Sequence, residues 1–173
     1  MKSVLSAIAF ALALLPFHVS AQTGFDFQDA IKAHKAKDYT ETLRLIVPAA
    51  ESGNADAQNL LCHMYRYGQG VAANITTAVS WCQKAADAGH KIGQFNMGVS
   101  YESGIGADMD HAKAFGYYCR SALNDYTPAK PKVLEVFSLC QTGDKDACTV
   151  IKKEPCAEEF YKRELSGEKQ QKG

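Results

Sequence analysis

"YRYGQGV" at residues 65–71 returns as "YESGIGA" at residues 101–107, with one tyrosine and both glycines kept at an offset of 36. Laying residues 54–89 over 90–125 without a gap pairs Gln58 with Gln94, Tyr65 with Tyr101, Gly68 with Gly104, Gly70 with Gly106, Ala78 with Ala114 and Ala86 with Ala122. Between these identities Leu61 falls on Met97, Trp81 on Tyr117 and Lys84 on Arg120. Upstream, "PAAESGNADAQ" (48–58) lies over "KAADAGHKIGQ" (84–94) at the same period. Self-similarity at a fixed spacing of this size marks an array whose units stack because none buries its apolar face alone.

The spacing inside a unit gives its shape. Ala57, Leu60, Leu61, Met64 and Tyr65 stand at i, i+3, i+4, i+7 and i+8, and Ala78, Trp81, Cys82, Ala85 and Ala86 repeat that order. Each set puts one apolar stripe on a helix. Gly68 and Gly70 loosen the turn between the two helices. Asn74 and Asp110 are placed to cap the second helix of their units. Gly53 and Gly89 follow the second helices, where a C-terminal cap belongs. Each unit is therefore expected to be an antiparallel helical hairpin, with Tyr65 and Tyr101 closing the first helix as core residues.

The pattern Ala57-Gln58-x-x-Leu61, Tyr65-x-x-Gly68-x-Gly70-Val71, then Ala78-x-x-Trp81-x-x-Lys84-Ala85-Ala86-x-x-Gly89 resembles the Sel-one-like repeat (SLR), a relative of the tetratricopeptide repeat. The resemblance implies an all-α solenoid of about three and a half repeats of 36 residues. It divides the chain into a partial repeat or cap at 22–53, repeats at 54–89 and 90–125, a degenerate cap at 126–164 and a tail at 165–173. Two departures stand out. Gly98 in one unit answers Cys62 in the other, and Pro48 sits where a helix needs a donor. An interior proline costs a helix about 3 kcal/mol, so a kink or an early end is expected there. In the cap, Asp125 replaces the expected glycine, and Thr142 or Asp144 starts the last hairpin's second helix.

Residues 1–21 read as an export signal: Lys2, an apolar run from Val4 to Pro16, then Val19-Ser20-Ala21, with cleavage expected after Ala21. The run is shorter than the roughly 20 residues that span a bilayer, and no insertion of the mature chain in a membrane is expected. The destination is the periplasm or the exterior. Removing Lys2 leaves 18 basic against 19 acidic residues, or −1, which lacks the basic footprint of a nucleic-acid binder.

All six cysteines lie in the exported part, and an even count in an oxidising compartment reads as three disulfides. Cys62 and Cys82 stand ten residues either side of position 72, so an antiparallel hairpin brings them to one height. Cys140 and Cys148 flank Asp144 in the same way, leaving Cys119 for Cys156; pairing 148 with 156 and 119 with 140 stays open. A metal site is not expected. The C-x7-C-x7-C spacing turns successive sulfurs by roughly 80° along a helix, and there is no C-x2-C pair. No cysteine nucleophile is expected either, because His63 next to Cys62 points about 100° away. His34, His90 and His111 lie near expected helix ends, as capping or solvated groups. No cofactor motif occurs.

A hairpin array presents a groove lined by its first helices. The resemblance to tetratricopeptide proteins nominates Asn59, His63, Arg66, Tyr67, Phe95 and Glu102 as the groove residues of a non-enzymatic module that binds a protein or peptide partner as a monomer. Two alternatives are an enzyme of the weak penicillin-binding or β-lactam-hydrolysing kind, which lacks support from any Ser-x-x-Lys motif, and an envelope factor recognising cell-wall glycan through Tyr67, Phe95 and Asn59.

Overall fold

The computed structural model describes residues 25–165; the expected export signal and the tail from 166 onward lie outside the described residues. Four hairpins follow one another: α1 (Phe27–Lys35) with α2 (Tyr39–Glu51), α3 (Ala55–Tyr67) with α4 (Ile75–Asp87), α5 (Lys91–Ser103) with α6 (His111–Leu123), and α7 (Lys130–Gln141) with α8 (Lys145–Lys153). A short α9 (Pro155–Phe160) then folds back on α6. Each helix packs on the next in chain order, as a solenoid requires. No strand occurs among the described residues.

The local signals act where the sequence puts them. The side chains of Asn74 and Asp110 accept from the backbone N–H of Thr77 and Lys113, each at 2.9 Å, and Asp144 does the same for α8 through Ala147 at 2.9 Å. Such caps contribute about 1 kcal/mol each. The two Tyr-Gly-Gly segments lie in matching surroundings. Gly68 and Gly104 end α3 and α5 in the left-handed conformation, with φ of 68° and 67°. Gly70 and Gly106 serve close approach: a Cβ on Gly70 would lie 2.5 Å from Tyr39 Cβ, and one on Gly106 would lie 2.6 Å from Val79 Cγ2. Tyr39 and Val79 belong to the second helix of the preceding hairpin, so each turn locks its unit onto the unit before it.

Pro48 neither ends nor shortens α2, which runs on to Glu51. Tertiary contacts override propensity here. Ile46, Ala49 and Ala50 are buried on the following hairpin, and the buried amide of Gln58 donates to the Ala50 carbonyl at 3.0 Å. The equivalent Gln94 donates to the Ala86 carbonyl at 3.5 Å. The repeated glutamine is thus a clamp between units. Asn124 completes the second clamp by donating to Gln94 Oε1 at 2.9 Å. Ala88 occupies the equivalent position in the first, and Gln58 Oε1 is buried without a partner.

The departure at Cys62 and Gly98 is an exchange of chemistry at one place. Cys62 is bonded to Cys82, with Cα atoms 5.1 Å apart, and closes α3 on α4. In the next unit Tyr118 stands where Cys82 stood, and its ring lies so close to Gly98 that a Cβ there would be 2.6 Å from two ring carbons. One hairpin is closed by a covalent bond, the other by an aromatic ring laid on a bare backbone.

Cys140 and Cys148 are also bonded, closing α7 on α8. The expected third disulfide is absent: Cys119 and Cys156 are free thiols that meet where the start of α9 packs on α6. Packing brings the two sulfurs into hydrogen-bonding contact, and Cys156 also lies 3.8 Å from the Gly116 carbonyl. That hydrogen bond, followed by burial, pushes the Cys119 thiol well up.

Candidate binding surface

The residues expected to line the groove separate into three groups. Asn59 (α3) and Asn96 (α5) form a bridge, the Asn96 amide donating to Asn59 Oδ1 at 3.3 Å. This joins the first helices of successive units along the expected face. Phe95 is turned inward. Its ring packs against Tyr118 and Tyr126, each at 5.3 Å between centroids, as part of the C-terminal core. Asn59 and Phe95 share one register position, yet the half-buried aromatic one is engaged by Tyr118 of its own unit and by Tyr126 of the degenerate unit.

His63, Arg66 and Tyr67 lie together at the end of α3. The Tyr67 ring lies tilted against that of His63, with centroids 4.6 Å apart, and Tyr67 is 62% exposed. His63 Nδ1–H and His34 Nε2–H both donate to Gln69 Oε1, at 3.0 and 2.9 Å, which fixes the tautomers of both rings and ties α1 to the turn after α3. Desolvation of its ring, reinforced by the charges of His34 and Arg66, holds His63 below its ordinary value against the opposing bond to Gln69. His34 is therefore a partner of His63 across two units, which no local spacing indicates.

Glu102 belongs to the third group. Its carboxylate accepts from the Tyr118 hydroxyl at 2.8 Å and from Lys132 Nζ at 2.8 and 3.1 Å. Burial raises its carboxyl, but the bonds from Lys132 and Tyr118 outweigh that and lower it overall. The bonded pair forms one wall of a cavity of about 400 Å³ between α6, α7 and α8. Ala114, Phe115, Val136, Leu139, Ala147 and Val150 make its apolar floor. Glu135 and Leu139 stand in register, through the repeat, with His63 and Tyr67 of α3 and with Val99 and Ser103 of α5. The cavity therefore lies between the second helices α6 and α8 and the first helix α7, where the regular repeat gives way to the cap, and its α7 residues continue the first-helix register. Sequence reasoning missed it because the 36-residue pattern fades beyond residue 125, and four of its six floor residues come from α7 and α8.

Other residues named from the sequence have structural roles. His90 is the N-cap of α5: its Nδ1 accepts from the Gly93 N–H at 3.0 Å while Nε2–H donates to Asp56 at 3.1 Å. Among the described residues no group of three or more histidine, cysteine or acidic side chains is arranged to hold a metal ion. No described helix is long and apolar enough to cross a membrane.

Comparison with known proteins agrees with this architecture. The model of the Sel1 repeat family matches residues 55–90 and 91–126, which are the two complete central hairpins with their turns. A crystal structure of a Sel1 repeat protein from Oxalobacter formigenes is similar, with 28% identity and a TM-score of 0.61; the match covers 78% of this chain and 55% of that one. A protective antigen present in uropathogenic Escherichia coli strains, described as displaying an SLR fold, matches at 23% identity and a TM-score of 0.56, over 73% of this chain and 30% of the other. The chain therefore spans about half the length of the first structure and less than a third of the second. No curated protein matches the chain significantly.

Proposed function

The chain carries two Sel1 repeats, and from that premise we propose that it is an exported, non-enzymatic interaction module that takes a segment of a partner protein along its first-helix face and anchors it in the cavity beside Glu102. Sel1 repeats form protein–protein interaction scaffolds, and hairpin arrays bind extended ligands on the face their first helices present. The observation that carries the reading is the cavity itself. It is an apolar depression of about 400 Å³, within the roughly 300–1,000 Å³ range of ligand pockets, and it continues the register of Tyr67 and His63. Asn59, His63, Arg66 and Tyr67 serve as the groove beyond the anchor. Among them, His63 is held by Gln69 and Asn59 by Asn96, so two of the contacts are ordered before any partner arrives, which reduces the entropy lost on binding.

The alternatives gain no observation. The Phe95 ring is half-buried against Tyr118 and Tyr126, so of the two aromatic groups named for a glycan surface only Tyr67 is widely exposed. The disulfides, and the lack of a membrane-crossing helix among the described residues, are compatible with export.

Photocrosslinking tests the reading. A photoreactive residue placed at Tyr67 or Leu139 in the native envelope is expected to capture a protein partner, and one placed at Arg120 on the second-helix side is not. Capture from Arg120 alone overturns the proposed face.

A further inference from the structure

The charge around the cavity mouth narrows what it accepts. The lining carries four carboxylates, Glu102, Glu135, Asp144 and Asp146, against the single ammonium of Lys132, a balance of −3 with His111 counted neutral. These charges are not equally free. Glu102 and Lys132 neutralise each other, at 2.8 Å. Asp144 is committed to the first N–H groups of α8, at 2.9 Å from those of Asp146 and Ala147. Glu135 and Asp146 have no hydrogen-bond or ion-pair partner for their side chains among the described residues, and both are exposed. Two uncommitted carboxylates from different helices therefore flank an apolar opening whose floor reaches the surface at the 44% exposed Leu139.

We propose that this cavity docks a basic–apolar segment of another protein: one large apolar side chain filling the floor, with lysine or arginine on either side meeting Glu135 and Asp146. This rests on the reading of the protein as an interaction module and names the chemistry of its partner. An acidic or phosphorylated segment would set like charges at the rim, a juxtaposition that suppresses wrong partners. The segment 166–173, "SGEKQQKG", does not serve: it has two lysines but no large apolar side chain to fill the floor. A neutral apolar segment would fill the floor and leave both carboxylates beside a less hydrated surface, so the basic flanks supply the selectivity.

Four fluorescein-labelled peptides test this by fluorescence anisotropy with the intact mature protein: GKKFKKG, GSSFSSG, GEEFEEG and GKKAKKG. GKKFKKG is expected to bind at least about tenfold more tightly than GEEFEEG and GKKAKKG, and its advantage over GSSFSSG is expected to shrink as salt is raised, because rim charges are screened over about 8–10 Å. The exposed substitutions Glu135→Lys and Asp146→Lys together are expected to weaken GKKFKKG about tenfold and leave GSSFSSG unchanged. Circular dichroism confirms that the double variant is folded. Equal binding of GKKFKKG and GSSFSSG, or indifference to the double variant, overturns the basic partner but keeps an apolar anchor site. Binding of GKKAKKG as tight as that of GKKFKKG overturns the anchor. Failure of all four peptides at millimolar concentration overturns the cavity as a docking site, and the photocrosslinking at Tyr67 then decides separately whether the face binds a partner at all.

Discussion

Removing the Cys62–Cys82 bond by replacing both residues with alanine is expected to destabilise the protein more than removing Cys140–Cys148. The two bonds close loops of different length, with sequence separations of 20 and 8. In the chain-entropy model these correspond to about 3.3 and 2.5 kcal/mol, a difference of about 0.8 kcal/mol set only by the ratio of the loop lengths. For a domain of this size a loss of 3 kcal/mol lowers Tm by about 6–12 °C. Alanine also removes two buried sulfurs at the first site, so the crosslink is best isolated in a Cys140→Ala/Cys148→Ala background, where dithiothreitol breaks only the 62–82 bond and leaves both sulfurs in place. Urea unfolding followed by far-ultraviolet circular dichroism, with and without reductant, gives the difference directly. A cost below about 1 kcal/mol for the 62–82 bond, or one smaller than for 140–148, would refute the claim that it acts by restraining the unfolded chain. Thiol titration of the denatured, unreduced wild type is expected to find two thiols, from Cys119 and Cys156.

The remaining predictions concern single side chains. Ala88→Asn copies Asn124 into the first clamp, where it would donate to the orphaned Gln58 Oε1; a gain of about 1 kcal/mol is expected in urea unfolding, the order of one net hydrogen bond. Gly98→Ala drives a methyl into the Tyr118 ring, whose hydroxyl is held by Glu102, and a loss of about 1–3 kcal/mol is expected. The nearest atoms that Gly116→Ala meets are the movable carboxylate end of Glu154, so its Tm is expected to stay level or rise, the helix favouring alanine by up to about 1 kcal/mol. Desolvation outweighs the pull of Asp56 and lowers His90 below its ordinary 6.5. The native state therefore prefers the neutral ring, and its contribution, complete above pH 6.5, is lost as the pH falls through the depressed value. Protonating Nδ1 also removes the acceptor that caps α5. His90→Asn, which matches the Asn54 cap of the preceding unit, is expected to flatten the decline of Tm with acid, leaving the share due to His63.

Much of this fold is legible in the sequence because each hairpin is specified locally and then repeated. The offset of 36 places both helices of the central units. Asn74 and Asp110 cap where their positions indicate, and the placement of Cys62 and Cys82 about one turn is sufficient to pair them. The early end expected at Pro48 does not occur, since propensity says nothing about Ile46, Ala50 and the Gln58 amide holding the last turn from outside. The same limit applies to Phe95. Its register matches Asn59, but its surroundings are set by Tyr126, beyond the end of the regular pattern. The cavity is the least legible feature, being built from the unit whose sequence departs furthest from the repeat. Cys119 and Cys156 are brought together as expected, yet remain thiols.

The change from a sulfur crosslink at Cys62 to a ring resting on Gly98 makes mechanical resistance uneven along the molecule. A reductant attacks the hairpins on either side, α3 with α4 and α7 with α8, and finds no bond to cut in the one between them. Under reducing conditions amide exchange should therefore accelerate at the flanks first, leaving α5 and α6 as the last part to open, held by the Tyr118 ring and by hydrogen bonds that no reductant touches.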